Sequence, residues 1–315
     1  MAEIVRFPCG DLTVHGTLHL PGEQAARRRR LGVVFVASGV RSRRGPNRMY
    51  LRFARRLVEA GYPVLRYDPP GIGDSPGSLD TLLAYKKQFL DCKDSVIRAI
   101  DFFQETVGVE RVALVGLCGG AYSALMASAA EPRAELLVLA SLPIQDVGDL
   151  SQEAALDAAI ESYFCKIFDW RAWWKFASGK SHYDWVFRAA LRVLTGRYRC
   201  PERNPSLWEA FQRYIADGRK MLLAYGTEDP LYPPFAKHYR KQLEGLDGFH
   251  ACCRVHVVEG ATHTFNQIRW QEELIATSLA WLDGDPRRGG QERERAEARN
   301  ASGSGPQGEV AVTPH

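Results

Sequence analysis

The chain has 315 residues, with 41 Lys and Arg against 37 Asp and Glu, so its formal net charge is +4. Much of that surplus can be assigned to one arginine run, residues 27–30, whereas a nucleic-acid-binding protein would need a broader basic surface. No apolar run approaches the roughly 18–20 residues of a membrane span, and residues 1–11 carry charge where a secretory segment would be apolar, so we expect a cytoplasmic protein that binds no nucleic acid.

The beginning of the chain predicts an antiparallel hairpin, with strands at residues 4–7 and 12–20 and a turn at Gly10-Asp11. After it come short, near-continuously apolar runs, which are typical of strands buried on both faces of a sheet. These runs are residues 31–37, 62–67, 111–115, 135–140 and 220–225.

Amphipathic helices are predicted between these strands. Apolar residues recur every four positions at Met49, Phe53 and Leu57, and a second helical pattern runs from Phe89 to Phe103. Strands that alternate with helices indicate a mostly parallel, doubly wound sheet covered on both faces, with right-handed crossovers. The fold class is therefore α/β.

The alternation stops between residues 145 and 217. This stretch contains five of the seven tryptophans, which indicates a helical cap inserted between a first core part at residues 1–144 and a second at 218–283. The aromatic side chains either fill the cap's own core or also line a substrate pocket. Residues 284–315 are charged and rich in Ser and Gly, which predicts a disordered tail.

The strongest chemical signal is Gly116-Leu-Cys118-Gly-Gly120, which follows the strand predicted at residues 111–115 and opens a helical pattern. Small neighbours let the chain turn sharply and lift the central side chain above the sheet, as in a nucleophile elbow. The central residue here is Cys118, which predicts a thiol nucleophile; the alternative is a small buried cysteine.

With this elbow, the chain resembles the α/β-hydrolases, over roughly residues 3–283. Within that superfamily it is similar to the serine-aminopeptidase-like (S33-type) branch. The Cys-centred elbow and the segment Gly-Ile-Gly-Asp-Ser-Pro-Gly at residues 71–77 are most similar to hydrolases associated with bacterial exosortase systems. The resemblance implies an α/β-hydrolase fold with a helical cap.

The resemblance also implies a catalytic triad in the order nucleophile, acid, histidine. Asp229 matches the family's acid turn after the strand at residues 220–225, and His263 matches its histidine turn after the last strand. Glu228 competes with Asp229 for the acid's role. His256 lies in an alternating strand and is interpreted as a surface residue.

The roles follow from the chemistry of the three groups. His263 would accept the thiol proton of Cys118, and Asp229 would orient the imidazole and stabilise its charged form. In this fold the oxyanion is bound by backbone N–H groups, which would be those of Gly119 and Val40. The family's usual His-Gly before the second donor is replaced here by Ser38-Gly39.

Cysteine in place of serine bears on the substrate. A thiolate that attacks a thioester exchanges one thioester for another at little cost, whereas an oxygen ester must form a higher-energy acyl-enzyme. We therefore expect a hydrolase that acts on acyl thioesters or activated esters. The alternatives are an acyltransferase in a biosynthetic pathway, a ligand-binding or scaffolding protein without turnover, and an aminopeptidase, as the branch name suggests.

Arginines directly follow the predicted oxyanion loop. Arg41, Arg43 and Arg44 would lie at the carboxyl edge of the sheet, where ligands bind in open α/β folds. They are either a solvated basic loop or a site for the phosphates of coenzyme A or an acyl carrier protein's prosthetic arm.

Seven cysteines without a Cys-x-x-Cys pair indicate neither a disulfide framework nor a zinc site. We therefore expect no metal or cofactor.

Overall fold

The computed structural model describes residues 2–22, 30–39, 41–77, 92–144 and 203–284. Among the helices in these ranges, none combines the length and the apolarity that crossing a bilayer requires. The predicted α/β class is confirmed, since an eight-stranded, mostly parallel sheet is covered by helices on both faces.

The eight strands form one sheet in the order β1-β2-β4-β3-β5-β6-β7-β8. The strands are β1 (Ala2–Cys9), β2 (Leu12–His19), β3 (Leu31–Val36), β4 (Val64–Asp68), β5 (Arg111–Leu117), β6 (Ala134–Ala140), β7 (Lys220–Glu228) and β8 (Cys253–Thr262). Strands β1 and β2 form the predicted antiparallel hairpin, and β2 pairs antiparallel with β4. The remaining pairs are parallel, so their carboxyl ends meet at one edge of the sheet.

Five longer helices accompany the sheet: α1 (Met49–Glu59), α2 (Lys93–Val107), α3 (Gly119–Ala130), α4 (Pro205–Ala216) and α5 (Ile268–Asp283). Shorter helical segments are Pro46–Arg48, Tyr232–Pro234, Phe235–Tyr239, Arg240–Glu244 and Phe249–Cys252. The apolar residues of α2, α3 and α4 pack in one core cluster, and those of α1 and α5 pack in another. The two layers enclose the inner parallel strands β3 to β7, which explains why those strands are largely apolar on both faces, unlike the edge strand β8.

The four-residue spacing of apolar residues in α1 places them on the face that packs against the sheet. Met49, Phe53 and Leu57 are buried, and Phe53 lies edge-on to Phe35 of β3 with ring centroids 5.3 Å apart. Full burial of each such side chain contributes about 1.5–3 kcal/mol to folding. The helix is therefore fixed beside the strand whose carboxyl end leads into the predicted oxyanion loop.

The end of the predicted cap is part of the layer that covers the sheet. The Asn204 side chain accepts a hydrogen bond from the Leu207 N–H at 3.1 Å and caps α4, which begins at Pro205. Leu207 and Phe211 of α4 belong to the same core cluster as α3. The rest of the predicted cap, residues 145–202, and the tail from residue 285 lie outside the described residues, so the domain boundaries stay a prediction.

Candidate active site

Cys118 lies at the sharp turn between β5 and α3, as the elbow motif predicts. Its backbone has φ 52° and ψ −119°, a conformation that non-glycine residues rarely adopt and that costs about 1–3 kcal/mol. Its N–H donates to the Ala140 carbonyl of β6 at 2.9 Å, and its carbonyl accepts from the N–H groups of Ala121 and Tyr122. The surrounding strand and helix thus hold the strained turn in place, and the side chain is only partly buried.

The two glycines of the motif are required by close backbone contacts. A Cβ at Gly116 would lie 2.3 Å from the Gly120 carbonyl oxygen, and one at Gly120 would lie 2.6 Å from the carbonyl oxygens of Val36 and Ala37. No side chain fits at such distances. Glycine at 116 therefore lets α3 begin against β5, and glycine at 120 lets it begin against the end of β3.

The first predicted oxyanion donor, the Gly119 N–H, lies next to the predicted nucleophile. Gly119 is the first residue of α3, where backbone N–H groups have no partner within the helix. Among the described residues, none accepts a hydrogen bond from the Gly119 N–H. Val40, the second predicted donor, lies outside the described residues.

The acid and histidine turns are brought together by a close approach of β7 and β8. A Cβ at Gly226 would lie 2.0 Å from the Ala261 carbonyl oxygen, so glycine is required at this contact. The register shifts here, because Gly226 pairs with Val258 but Glu228 pairs with Thr262. The two extra residues form a bulge in β8, which ends at the start of the histidine turn.

Asp229 and His263 are in direct contact. The His263 Nδ1 hydrogen-bonds the Asp229 Oδ1 at 2.9 Å, and the Leu231 N–H donates to the same oxygen at 3.0 Å. The Asp229 side chain is fully buried, whereas Glu228 is exposed. Of the two neighbouring carboxylates, Asp229 is therefore the one that lies against His263.

The protonation of His263 depends on both predicted partners. Burial alone would lower the pKa of His263, but hydrogen bonds to Asp229 and Cys118, with the charges of both groups, outweigh it and raise the pKa to about 10. An imidazole held between a carboxylate and a thiol is stabilised in its protonated form. The arrangement favours the protonated form of the His263 imidazole at neutral pH.

Ser141, which no sequence pattern marks, supports the histidine turn from the end of β6. The Ser141 hydroxyl donates to the His263 carbonyl at 3.1 Å, and its own N–H donates to the Ala224 carbonyl of β7 at 2.8 Å. Ser141 is fully buried and has a positive φ of 48°. It ties the end of β6 to the histidine turn.

The predicted substrate-binding arginines occupy different environments. The Arg43 guanidinium forms ion pairs with Asp68 and Asp74, and its N–H donates to the Asp68 carboxylate. Its side chain is 15% exposed, whereas Arg41 and Arg44 are exposed to solvent. Because its donors are taken up by carboxylates within the protein, Arg43 is poorly placed to bind a substrate's phosphate, contrary to the expectation for this residue.

Asp68 and Arg66 of β4 hold the loop that follows β3. Arg66 donates to the Arg43 carbonyl at 2.8 Å, while Asp68 accepts from the Arg43 N–H, so both backbone groups of Arg43 are fixed by side chains. The guanidinium of Arg66 also contacts the His19 Nε2 at 2.8 Å. Burial and the nearby Arg66 lower the pKa of His19 to about 4, so its ring stays neutral at physiological pH. Asp68 is a charged residue at the carboxyl end of a buried strand, and that position is the sequence signal that could have identified it as a residue that holds this loop.

Comparisons with known proteins agree with this architecture. The model of a family described as the alpha/beta hydrolase family matches residues 21–277. An esterase of Pyrococcus furiosus has a TM-score of 0.57 at 16% identity, covering 90% of this chain and 92% of that chain. Proline iminopeptidase of Mycobacterium smegmatis has a TM-score of 0.59 at 17% identity, covering 89% of this chain and 98% of that chain. Est1E of Butyrivibrio proteoclasticus, with bound ferulic acid, has a TM-score of 0.52 at 15% identity, covering 89% of this chain and 99% of that chain. No curated protein matches the sequence.

Proposed function

Because the chain belongs to the alpha/beta hydrolase family, whose model matches residues 21–277, we propose that it hydrolyses acyl thioesters and esters through a covalent acyl-enzyme on Cys118. The observation that carries the proposal is the hydrogen bond between His263 and Asp229 at 2.9 Å, together with the nearby Cys118, which is among the groups that raise the pKa of His263. A nucleophile, a base and a group that orients the base are the parts that acyl transfer needs.

The reaction proceeds in two steps. In the first, the Cys118 thiolate attacks the acyl carbonyl, the bond to the leaving thiol or alcohol breaks, and the His263 imidazolium gives the leaving group its proton. In the second, His263 takes a proton from a water molecule that attacks the Cys118 thioester, and the carboxylic acid and the free thiol are released. Asp229 keeps the His263 Nδ1 protonated throughout, so that Nε2 faces the reacting atoms.

The negative charge on the carbonyl oxygen is bound by backbone donors. We assign this role to the N–H of Gly119 and, in the loop after β3, to the N–H of Val40. Removal of one such donor in comparable sites costs about 10²–10³ in kcat. The strained backbone of Cys118 supports the assignment, because it directs the start of α3 towards the nucleophile.

Thioesters are the preferred substrate class in this proposal. The acyl-enzyme on Cys118 is itself a thioester, so its formation from a thioester is close to thermoneutral, while its formation from an alkyl ester is uphill. We expect kcat/KM to be at least about tenfold higher for an acyl thioester than for the matching alkyl ester, a difference of about 1.4 kcal/mol in activation free energy. Matched pairs of short and medium acyl chains measure this ratio.

Intact-protein mass spectrometry tests the covalent step. Wild-type protein incubated with each thioester is expected to gain the mass of one acyl group, and peptide mapping is expected to place it on Cys118. Water, amines and alcohols are then offered as acceptors, and their products separate hydrolysis from acyl transfer. A folded wild-type protein that neither gains an acyl group nor forms product from any member of the panel would favour a binding protein without turnover.

We also propose that the substrate is carried on coenzyme A or an acyl carrier protein, with Arg41 and Arg44 as its phosphate contacts. Both are exposed next to the loop that carries the second donor, and among the described residues no hydrogen bond or ion pair engages either guanidinium. Arg43 is left out because it is paired with Asp68 and Asp74. Arginine suits this role because its planar fork binds phosphate through two parallel hydrogen bonds.

The double variant Arg41→Ala/Arg44→Ala is expected to raise the KM for a coenzyme A thioester about tenfold, equivalent to about 1.4 kcal/mol, and to leave the KM for a small uncharged thioester within about twofold. The matched control is Arg6→Ala/Arg254→Ala, which removes two exposed arginines from the edge strands β1 and β8. Steady-state kinetics with both substrates give the KM values that test whether Arg41 and Arg44 bind the carrier. An equal change in the two KM values would contradict carrier recognition.

Four finer features stay predictions from the sequence: the serine-aminopeptidase-like branch, the likeness to exosortase-associated hydrolases, the helical cap at residues 145–217 and the cytoplasmic location. None of them determines the acyl group, which the thioester panel identifies.

A further inference from the structure

Tyr50, the second residue of α1, is fully buried between the loop after β3 and the sheet. Its ring lies 4.8 Å from the ring of Phe35, measured between centroids. The sequence pattern marks Met49, Phe53 and Leu57 as the buried face of this helix and is silent on Tyr50. Besides packing, its hydroxyl group makes hydrogen bonds to two strands.

The Tyr50 hydroxyl bridges two strands at the point where their pairing ends. It donates to the Val36 carbonyl at 3.0 Å and accepts from the Leu117 N–H at 2.9 Å. The ladder between β3 and β5 ends with the pair Val36–Gly116, so Leu117 has no partner on β3. The hydroxyl supplies the missing partner one residue before Cys118.

The ring of Tyr50 also fixes the loop that follows β3. A Cβ at Gly45 would lie 2.6 Å from the Tyr50 ring, and Gly45 has a φ of 68°. The Tyr50 N–H donates to the Arg44 carbonyl at 3.1 Å. One side chain therefore contacts both the loop and the strand that carries the nucleophile.

We infer that Tyr50 is a positioning residue that sets the distance between the loop after β3 and the Cys118 elbow, and so aligns the oxyanion donors with the nucleophile. This inference rests on the proposed function. A buried hydroxyl that donates once and accepts once is fully satisfied, which makes it a rigid link. Burial raises the pKa of Tyr50 above its ordinary value, so the hydroxyl keeps its proton across the working pH range.

Two reactions of Cys118, acylation and alkylation, distinguish a positioning role of Tyr50 from a role in stability alone. Acylation of Cys118 needs both the thiolate and the oxyanion donors, whereas alkylation by iodoacetamide needs the thiolate and forms no oxyanion. Loss of alignment between the loop and the elbow therefore slows acylation and leaves alkylation largely unchanged. Loss of the thiolate or of the fold slows both.

The test is Tyr50→Phe, which keeps the ring and removes both hydrogen bonds. We expect kcat for a small acyl thioester to fall about 10- to 100-fold, in line with the effect of small misplacements on catalysis, with KM and the rate of Cys118 alkylation within about threefold of wild type. Gly45→Ala, which pushes on the same ring from the loop, is expected to give the same pattern.

The matched control is Tyr214→Phe. Tyr214 is also fully buried, and its hydroxyl donates to the Lys220 carbonyl at 3.2 Å at the other end of the sheet, where β7 begins. The kcat and alkylation rate of Tyr50→Phe and Tyr214→Phe are measured at a temperature below the unfolding midpoint of each variant. The inference is overturned if Tyr50→Phe retains wild-type kcat, loses no more kcat than Tyr214→Phe, or loses alkylation in parallel with kcat. A folded wild-type protein that neither gains an acyl group on Cys118 nor forms product would instead overturn the proposed function itself.

Discussion

Cys118→Ala is expected to lower kcat/KM for an acyl thioester by at least about 10⁴-fold, since removal of a nucleophile leaves only the contribution of the remaining site. The side chain removed is small and partly exposed, so the unfolding midpoint is expected to change little. The same variant is expected to gain no acyl mass. Loss of the thioester's ultraviolet absorbance measures the rate, and circular dichroism checks the fold.

The matched control for Cys118 is Cys9→Ala. Cys9 is also partly buried and free, and it lies at the end of β1, on the edge of the sheet away from the elbow. Its replacement is expected to leave kcat/KM within about twofold, because no step of the proposed mechanism uses it. Retention of more than a few per cent of activity by Cys118→Ala would mean that another group is the nucleophile.

Asp229→Asn carries the second largest expected effect, a decrease in kcat of about 10³-fold. The change keeps the size of the side chain but removes the charge that orients and stabilises the His263 imidazolium; in serine proteases the corresponding change costs about 10⁴-fold. A thiol is more acidic than a hydroxyl and depends less on a base for its activation, so a smaller factor is expected for a cysteine nucleophile. Glu228→Gln is the control, because Glu228 is the adjacent carboxylate and is exposed.

A pH profile shows whether the effect passes through His263. The hydrogen bond and charge of Asp229 are among the causes that raise the pKa of His263 to about 10. Without them His263 loses its proton at lower pH, so the alkaline decline of the acylation rate is expected to move to lower pH in Asp229→Asn and to stay in place in Glu228→Gln. A larger loss of activity in Glu228→Gln than in Asp229→Asn would assign the acid to Glu228.

Much of the architecture could be predicted from local patterns. The continuous apolar runs correspond to the parallel strands; the run at residues 31–37, for example, corresponds to β3 (Leu31–Val36). The four-residue spacing of Met49, Phe53 and Leu57 corresponds to α1. Such patterns predict helices and strands because burial of apolar side chains is the main favourable term in folding. The spacing of the buried residues along the sequence therefore has the period of the element that buries them.

The candidate site could be predicted only in part. The glycines around Cys118, and the turns that carry Asp229 and His263, are local signals that the sequence contains in the right order. The pairing of Arg43 with Asp68 and the strand-bridging hydroxyl of Tyr50 are contacts between segments 25 and 67 residues apart, respectively. No periodicity records such pairs.

The sequence by itself therefore determined the α/β class, the hairpin, the elbow and the types of the three groups proposed for catalysis. Only the tertiary structure shows that Asp229 rather than Glu228 contacts His263, sets Arg43 apart from Arg41 and Arg44, and places Tyr50 and Ser141 beside the candidate site. The physical reason is that strand period and turn chemistry are properties of neighbouring residues. Which carboxylate is buried, and which hydroxyl meets an unpaired backbone group, depends instead on sheet register and on the β8 bulge, which only the packed chain fixes.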